Sequence, residues 1–117
     1  MNFYELGEVE LVKEYTLLHL LLSVFERDAK LLEQTLKTPA PYLELIQQSM
    51  DKVTGDLTRA RKEMKRREMK IIEDKKTPDA LQTKYLVKGG YHREINLLLS
   101  IIKPEIEVRM HYFLQKK

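Results

Sequence analysis

Four cations recur at steps of four and three in one stretch of the chain: Arg59, Lys62, Arg66 and Lys70. On a helix that spacing gathers them on one face. A line of positive charge of this kind suits a phosphate backbone or an acidic protein. Carboxylates are interleaved with it, since Glu63 stands four residues from both Arg59 and Arg67. Pairs at that spacing offset part of the charge, so a merely solvated face is the simpler expectation. Other residues that could do chemistry are sparser. His19 interrupts Leu18-His19-Leu20 and could act as a ligand or a pH switch, but it falls on a polar line with Ser23, Glu26 and Lys30. Glu107 and His111 share a helical face and could be half of a metal site or an ordinary surface pair. Tyr85, Tyr91 and Tyr112 accompany Lys84, Lys88 and Arg93, a mixture that can stack on single-stranded nucleic acid, although aromatics at helical spacing more often belong to a core.

Signatures of catalysis are missing. Thr16, Gly89 and Val108 stand three residues before the three histidines, so the Glu-x-x-His pattern of carboxylate-bridged di-iron bundles does not occur. His-Glu-x-x-His and the glycine-rich phosphate loops do not occur either. Ser23, Ser49 and Ser100 lie in no strained turn pattern. No catalytic residue, metal ligand or cofactor is assigned, and the expectation is a protein without enzymatic activity.

The elements that would carry these residues read as helices. From Glu8 to Leu36 a heptad seam runs through Leu11, Tyr15, Leu18, Leu22, Phe25, Ala29, Leu32 and Leu36. A second set, Leu17, Leu20, Leu21, Val24 and Leu31, lies round the other side, so this helix needs neighbours on more than one side. Thr38-Pro39-Ala40-Pro41 precedes a second periodic segment, Tyr42 to Lys76, read as one long helix with Gly55 as its weak point. Thr77-Pro78-Asp79 has the form of a helix start, predicting a short helix to about Lys88. After Gly89-Gly90 a last helix is predicted from Tyr91, kinked at Pro104. Its end, Ile106 to Leu114, also alternates as a strand would, but an isolated strand would have no partner.

Length and composition bound the rest. One domain over residues 1–117 is the natural count. The net charge of +3 is uneven: residues 1–50 hold four basic and eight acidic side chains, and residues 51–76 hold ten and six. Antiparallel packing of these two parts would bring opposite charges together. There is no cysteine, which excludes disulfides and thiolate chemistry. The apolar run Leu17 to Phe25 is too short to span a bilayer, and acidic rather than basic residues precede it. A cytoplasmic location without membrane attachment is expected.

The stretch Lys84-Tyr85-Leu86-Val87-Lys88-Gly89-Gly90-Tyr91-His92, with the apolar-basic segment ending in Tyr112-Phe113-Leu114, resembles the C-terminal part of small uncharacterised helical proteins of low-GC Gram-positive bacteria. The resemblance implies an all-helical cytoplasmic protein and carries no activity.

The fold expected from the sequence is therefore all-α, an antiparallel bundle of three long helices plus a short one. The expected function is a non-enzymatic interaction or assembly protein, a homodimer touching through Leu20, Val24 and Leu31 because a bundle of this size cannot cover both apolar sides of its first helix. The alternative is a small nucleic-acid-binding protein using Arg59, Lys62, Arg66 and Lys70.

Overall fold

A computed structural model describes residues 2–115. A single 3-10 turn, Phe3–Glu5, leads into α1 (Glu8–Thr35), which a short link joins to α2 (Ala40–Arg66). Three strands follow, β1 (Lys70–Lys76), β2 (Ala80–Val87) and β3 (Tyr91–Leu98), and then α3 (Leu99–Leu114). The strands form one antiparallel meander in the order β1-β2-β3. The all-α bundle is thus corrected to an α plus β fold. The helix expected to run from Tyr42 to Lys76 ends at Arg66, the short helix expected after Thr77 is β2, and Tyr91–Leu98 is a strand. Ile106 to Leu114 is helical as expected, with Pro104 inside α3.

The end of α2 has a local cause. The Met69 amide donates to the Met64 carbonyl (2.9 Å) and the Glu68 amide to the Lys65 carbonyl (3.0 Å), while Glu68 takes a left-handed φ of 57°. These are the paired bonds of a Schellman termination, in which a residue beyond the helix end satisfies the last orphan carbonyls. Met64 and Met69 are both buried and supply its apolar contact. Glycine normally marks this motif, and Glu68 gives no such sign.

The Thr77 stretch does hold a capping hydroxyl, but in a hairpin. Thr77 Oγ1 accepts from the Ala80 amide (3.0 Å), and the Thr77 amide donates to the Ala80 carbonyl (2.8 Å), closing a tight turn between β1 and β2. Pro78, with its fixed φ, suits the second position of such a turn. Gly89 and Gly90, both at positive φ, turn β2 into β3. Three strands in succession supply one another with partners.

The sheet answers the need of α1 for a second neighbour. Pairing places Ile71 beside Tyr85, and Thr83 between Asp74 and Ile95, so these residues share one face. That face lies on α1: Tyr85 Oη donates to Glu8 Oε2 (3.0 Å), and the buried hydroxyls of Thr16 and Thr83 meet at 3.2 Å. The opposite side of α1 packs on α2, with Leu11, Leu18, Phe25, Val53, Leu57 and Ala60 buried. The third helix crosses both. Its start is tied to the first hairpin by the Leu99 amide donating to the Asp79 carbonyl (2.9 Å), and its end by Ser49 Oγ donating to the Phe113 carbonyl (3.0 Å).

Candidate functional site: a helix groove and a basic face

The most conspicuous surface lies along α3. Ile102, Ile106 and Phe113 turn inward and are buried. On its flank, Leu98, Ile101, Val108 and Tyr112 are each 49% to 64% exposed. Within α3, Ile101, Val108 and Tyr112 stand at steps of seven and four on one outward face, with Glu105 between the first two, and Leu98 adjoins them from the end of β3. Beside this stripe is a cleft of about 410 Å3 between α3, α1 and α2, lined by Glu14, Leu18, Asp56, Glu105, Val108, Arg109, Tyr112 and Phe113.

The polar wall of the cleft is a network of ion pairs. Arg109 donates through Nε and Nη2 to the two oxygens of Glu14 (2.8 and 2.6 Å) and through Nη1 to the Glu105 side chain (3.1 Å). Lys13 Nζ reaches Glu105 at 2.7 Å. Hydrogen bonds from Lys13 and then Arg109 hold the Glu105 carboxyl below its usual range. Glu14 is buried on α1, and this two-pronged bond is what compensates its charge. Across the cleft, the buried Asp56 accepts from Arg59. Each carboxylate here has a cation, so the network fixes α3 on the helical hairpin and offers no free acid or base.

The predicted basic stripe is rearranged. Lys70 leaves it altogether, because it opens β1. Arg59 pairs with Asp56, and Arg66 donates to both oxygens of Glu63 (2.9 and 2.6 Å). Arg67 Nε also reaches Glu63 (2.5 Å), while its Nη2 donates to the carbonyls of Phe3 and Tyr4 (3.1 and 3.3 Å). Hydrogen bonding from Arg66, then Arg67, outweighs burial and lowers the Glu63 carboxyl to about 2. The N-terminal turn therefore sits on α2, with Tyr4 against the Arg66 guanidinium at 5.6 Å. What was expected as a line of four cations is a shorter cluster of Arg59, Lys62 and Arg66 bordered by an aromatic ring.

The residues expected at a self-association face separate. Leu20 and Val24 are half-buried against the chain's own core, whereas Leu31 is 57% exposed and rims an apolar hollow of about 220 Å3 with Met110 and Leu114. His19, Glu107 and His111 are exposed. Among the tyrosines singled out, Tyr85 is buried and its hydroxyl is raised to about 12, by burial first and then by Glu8, while Tyr91 and Tyr112 are exposed. Among the described residues no three side chains are grouped to hold a metal ion. No helix among them is long and apolar enough to cross a membrane. The α3 stripe could not be singled out from the sequence, because Ile101, Val108 and Tyr112 form a line only once the helix is known to begin at Leu99 and to run through Pro104.

Comparison with known proteins adds a family and no activity. The family described as YhjD protein matches residues 5–117. A Bacillus subtilis (strain 168) protein named "Uncharacterized protein YhjD" is 28% identical over 106 residues, covering 90% of this chain and 88% of the relative. No solved structure matches the chain. The likeness to proteins of low-GC Gram-positive bacteria thus extends well beyond the segment around Gly89-Gly90, across the helical hairpin, the sheet and α3, and the chain belongs to the YhjD family.

Proposed function

We propose that this chain is a non-enzymatic assembly protein that pairs with a second copy of itself along α3. The observation that carries the reading is the exposed stripe of Ile101, Val108 and Tyr112 on α3 beside the cleft, with exposed Leu98 at the end of β3 next to it. Exposed large apolar side chains gathered on one face mark interaction sites. A seam at heptad spacing fits another helix of the same spacing, and two-fold pairing of identical surfaces is the commonest solution for soluble oligomers. The ion pairs of Glu14, Arg109, Glu105 and Lys13 support the reading by holding α3 rigidly enough to present the seam. A cytoplasmic location is part of the proposal and rests on a chain free of cysteine.

The test is the mass in solution by light scattering at tens of micromolar. The wild type is expected at the dimer mass, Val108→Asp at the monomer mass, and Leu31→Asp still at the dimer mass. A wild-type monomer overturns the proposal. Loss of the dimer in Leu31→Asp with retention in Val108→Asp moves the contact to α1.

A further inference from the structure

We propose that the cleft between the N-terminal turn and α2 binds a phosphate ester carried on a planar ring, a ligand of the mononucleotide class. This site shares no residue with the α3 seam, so it stands or falls separately. The cleft measures about 230 Å3 and is bordered by Tyr4 of the turn and by Arg59, Lys62 and Arg66 of α2, with Asn2 and Glu63 beside them.

Charge in this cleft is in excess and largely fixed in place. One carboxylate, Glu63, serves two guanidiniums, those of Arg66 and Arg67. That leaves one positive charge without a counterpart. Asp56 answers Arg59, and among the described residues no carboxylate pairs with Lys62. Arg67 itself lies outside the lining, so the unanswered charge that borders the cavity is that of Lys62, beside an acidic member already fully engaged. Arg66 is held by two bonds to Glu63 and by the Tyr4 ring, so little side-chain freedom is lost when its outward N–H groups meet a ligand. A phosphate is the anion that such planar forks and a nearby lysine recognise best.

The aromatic component points to the rest of the ligand. Tyr4 is 71% exposed although it is anchored through its own carbonyl and that of buried Phe3. An exposed tyrosine with a guanidinium on one face offers a flat platform at which a nucleobase stacks. The volume is below the roughly 300–1,000 Å3 of pockets that enclose a drug-sized molecule. The cleft would hold the phosphate and the near edge of one ring, with the remainder in solvent. Four successive phosphates along a strand would not be served, because the fourth cation, Lys70, lies on β1.

The experiment is an amide NMR titration of the full chain with AMP, adenosine and inorganic phosphate in parallel. AMP is expected to shift the amides of residues 3–4 and 59–67, phosphate to shift the second group more weakly, and adenosine to shift neither. Lys62→Glu is expected to weaken AMP by roughly tenfold or more, as befits loss of a charged hydrogen bond. Tyr4→Leu is expected to bring AMP down to the affinity of phosphate. Lys62 and Tyr4 are exposed, and an unchanged spectrum away from the cleft confirms folding. A short single strand with a terminal phosphate, compared with its hydroxyl-ended twin, separates the sources. Binding of the phosphorylated strand tenfold tighter than AMP makes the ligand a strand end, and equal affinity makes it a free nucleotide. The proposal is overturned if AMP leaves these amides unmoved, if adenosine shifts them as much as AMP does, or if Lys62→Glu binds AMP as well as the wild type.

Discussion

Thr16 on α1 and Thr83 on β2 stand 67 residues apart in sequence, and their buried hydroxyls meet at 3.2 Å. Thr83 also donates to Asp74 Oδ1 at 2.8 Å. An ionised carboxylate can only accept, so the Thr83 proton goes to Asp74 and Thr16 must donate to Thr83. The direction of the chain is thereby fixed from α1 through β2 to β1. Thr83→Val removes the acceptor and leaves a buried donor, at a cost of about 1–3 kcal/mol. The double change Thr16→Val with Thr83→Val replaces both partners with groups of the same shape, and urea denaturation is expected to show it losing less than the sum of the two single changes. Strict additivity would mean that the two hydroxyls are not coupled.

Removing the cation that spans the α3 cleft has a larger effect. Arg109→Leu leaves Glu14 charged and buried without its two-pronged partner. Breaking such a pair costs on the order of 3 kcal/mol. Glu14→Leu combined with Arg109→Leu is expected to recover much of that loss, because a matched apolar pair avoids the uncompensated charge. Denaturant midpoints of the three variants check this.

Acid sensitivity follows from Glu63. Its carboxyl lies at about 2 in the folded chain, below its ordinary value of 4.5. A depressed carboxyl stabilises the fold at pH above its unfolded value, and that contribution is lost as pH falls through the interval from 4.5 to about 2. Glu63→Gln is expected to be less stable than the wild type at neutral pH, with the difference shrinking toward pH 2. Side-chain carboxyl NMR reads the titration directly, and a midpoint near 4.5 would contradict the geometry.

Two exchanges that involve glycine, one inside α2 and one just beyond its end, are expected to hold or raise stability. At Gly55 an added Cβ would meet only the guanidinium of Arg59, at 3.7 Å, so Gly55→Ala is expected to stabilise by about 1 kcal/mol. Beyond the helix end, Glu68 holds a left-handed φ of 57° that glycine adopts freely. Glu68→Gly is expected to be neutral to stabilising by up to about 1 kcal/mol, the eased backbone offset by greater unfolded-state freedom. Thermal unfolding of both variants measures these shifts.

The helical hairpin was legible because α1 and the first part of α2 carry unbroken steps of three and four. The sheet was hidden by three local features. Glu68 stops α2 where a glycine would have announced the stop. Ile71, at the irregular pairing of β1, falls in step with the apolar line of α2 and extends the helical pattern past its real end. Thr77-Pro78-Asp79 has the same composition whether it begins a helix or turns a hairpin. The apolar circumference of α1 held the missing information: it called for a second neighbour, which the sheet supplies through Thr83 and Tyr85. Of the candidate surfaces, the grouping of Arg59, Lys62 and Arg66 on one side of α2 was legible from spacing. Their link to Tyr4 was not, since it depends on Arg67 holding the N-terminal turn across 64 residues.

Pairing along α3 is tested most directly by intermolecular relaxation. The chain has no cysteine, so a spin label placed at His111→Cys on the exposed side of α3 occupies a single position. Labelled chain is mixed with isotope-enriched chain lacking the label, and only contacts between copies then broaden signals. The expected result is broadening confined to amides of residues 98–112 and abolished by Val108→Asp in both copies. Absence of intermolecular broadening at tens of micromolar, or broadening centred on Leu31, would contradict pairing along α3.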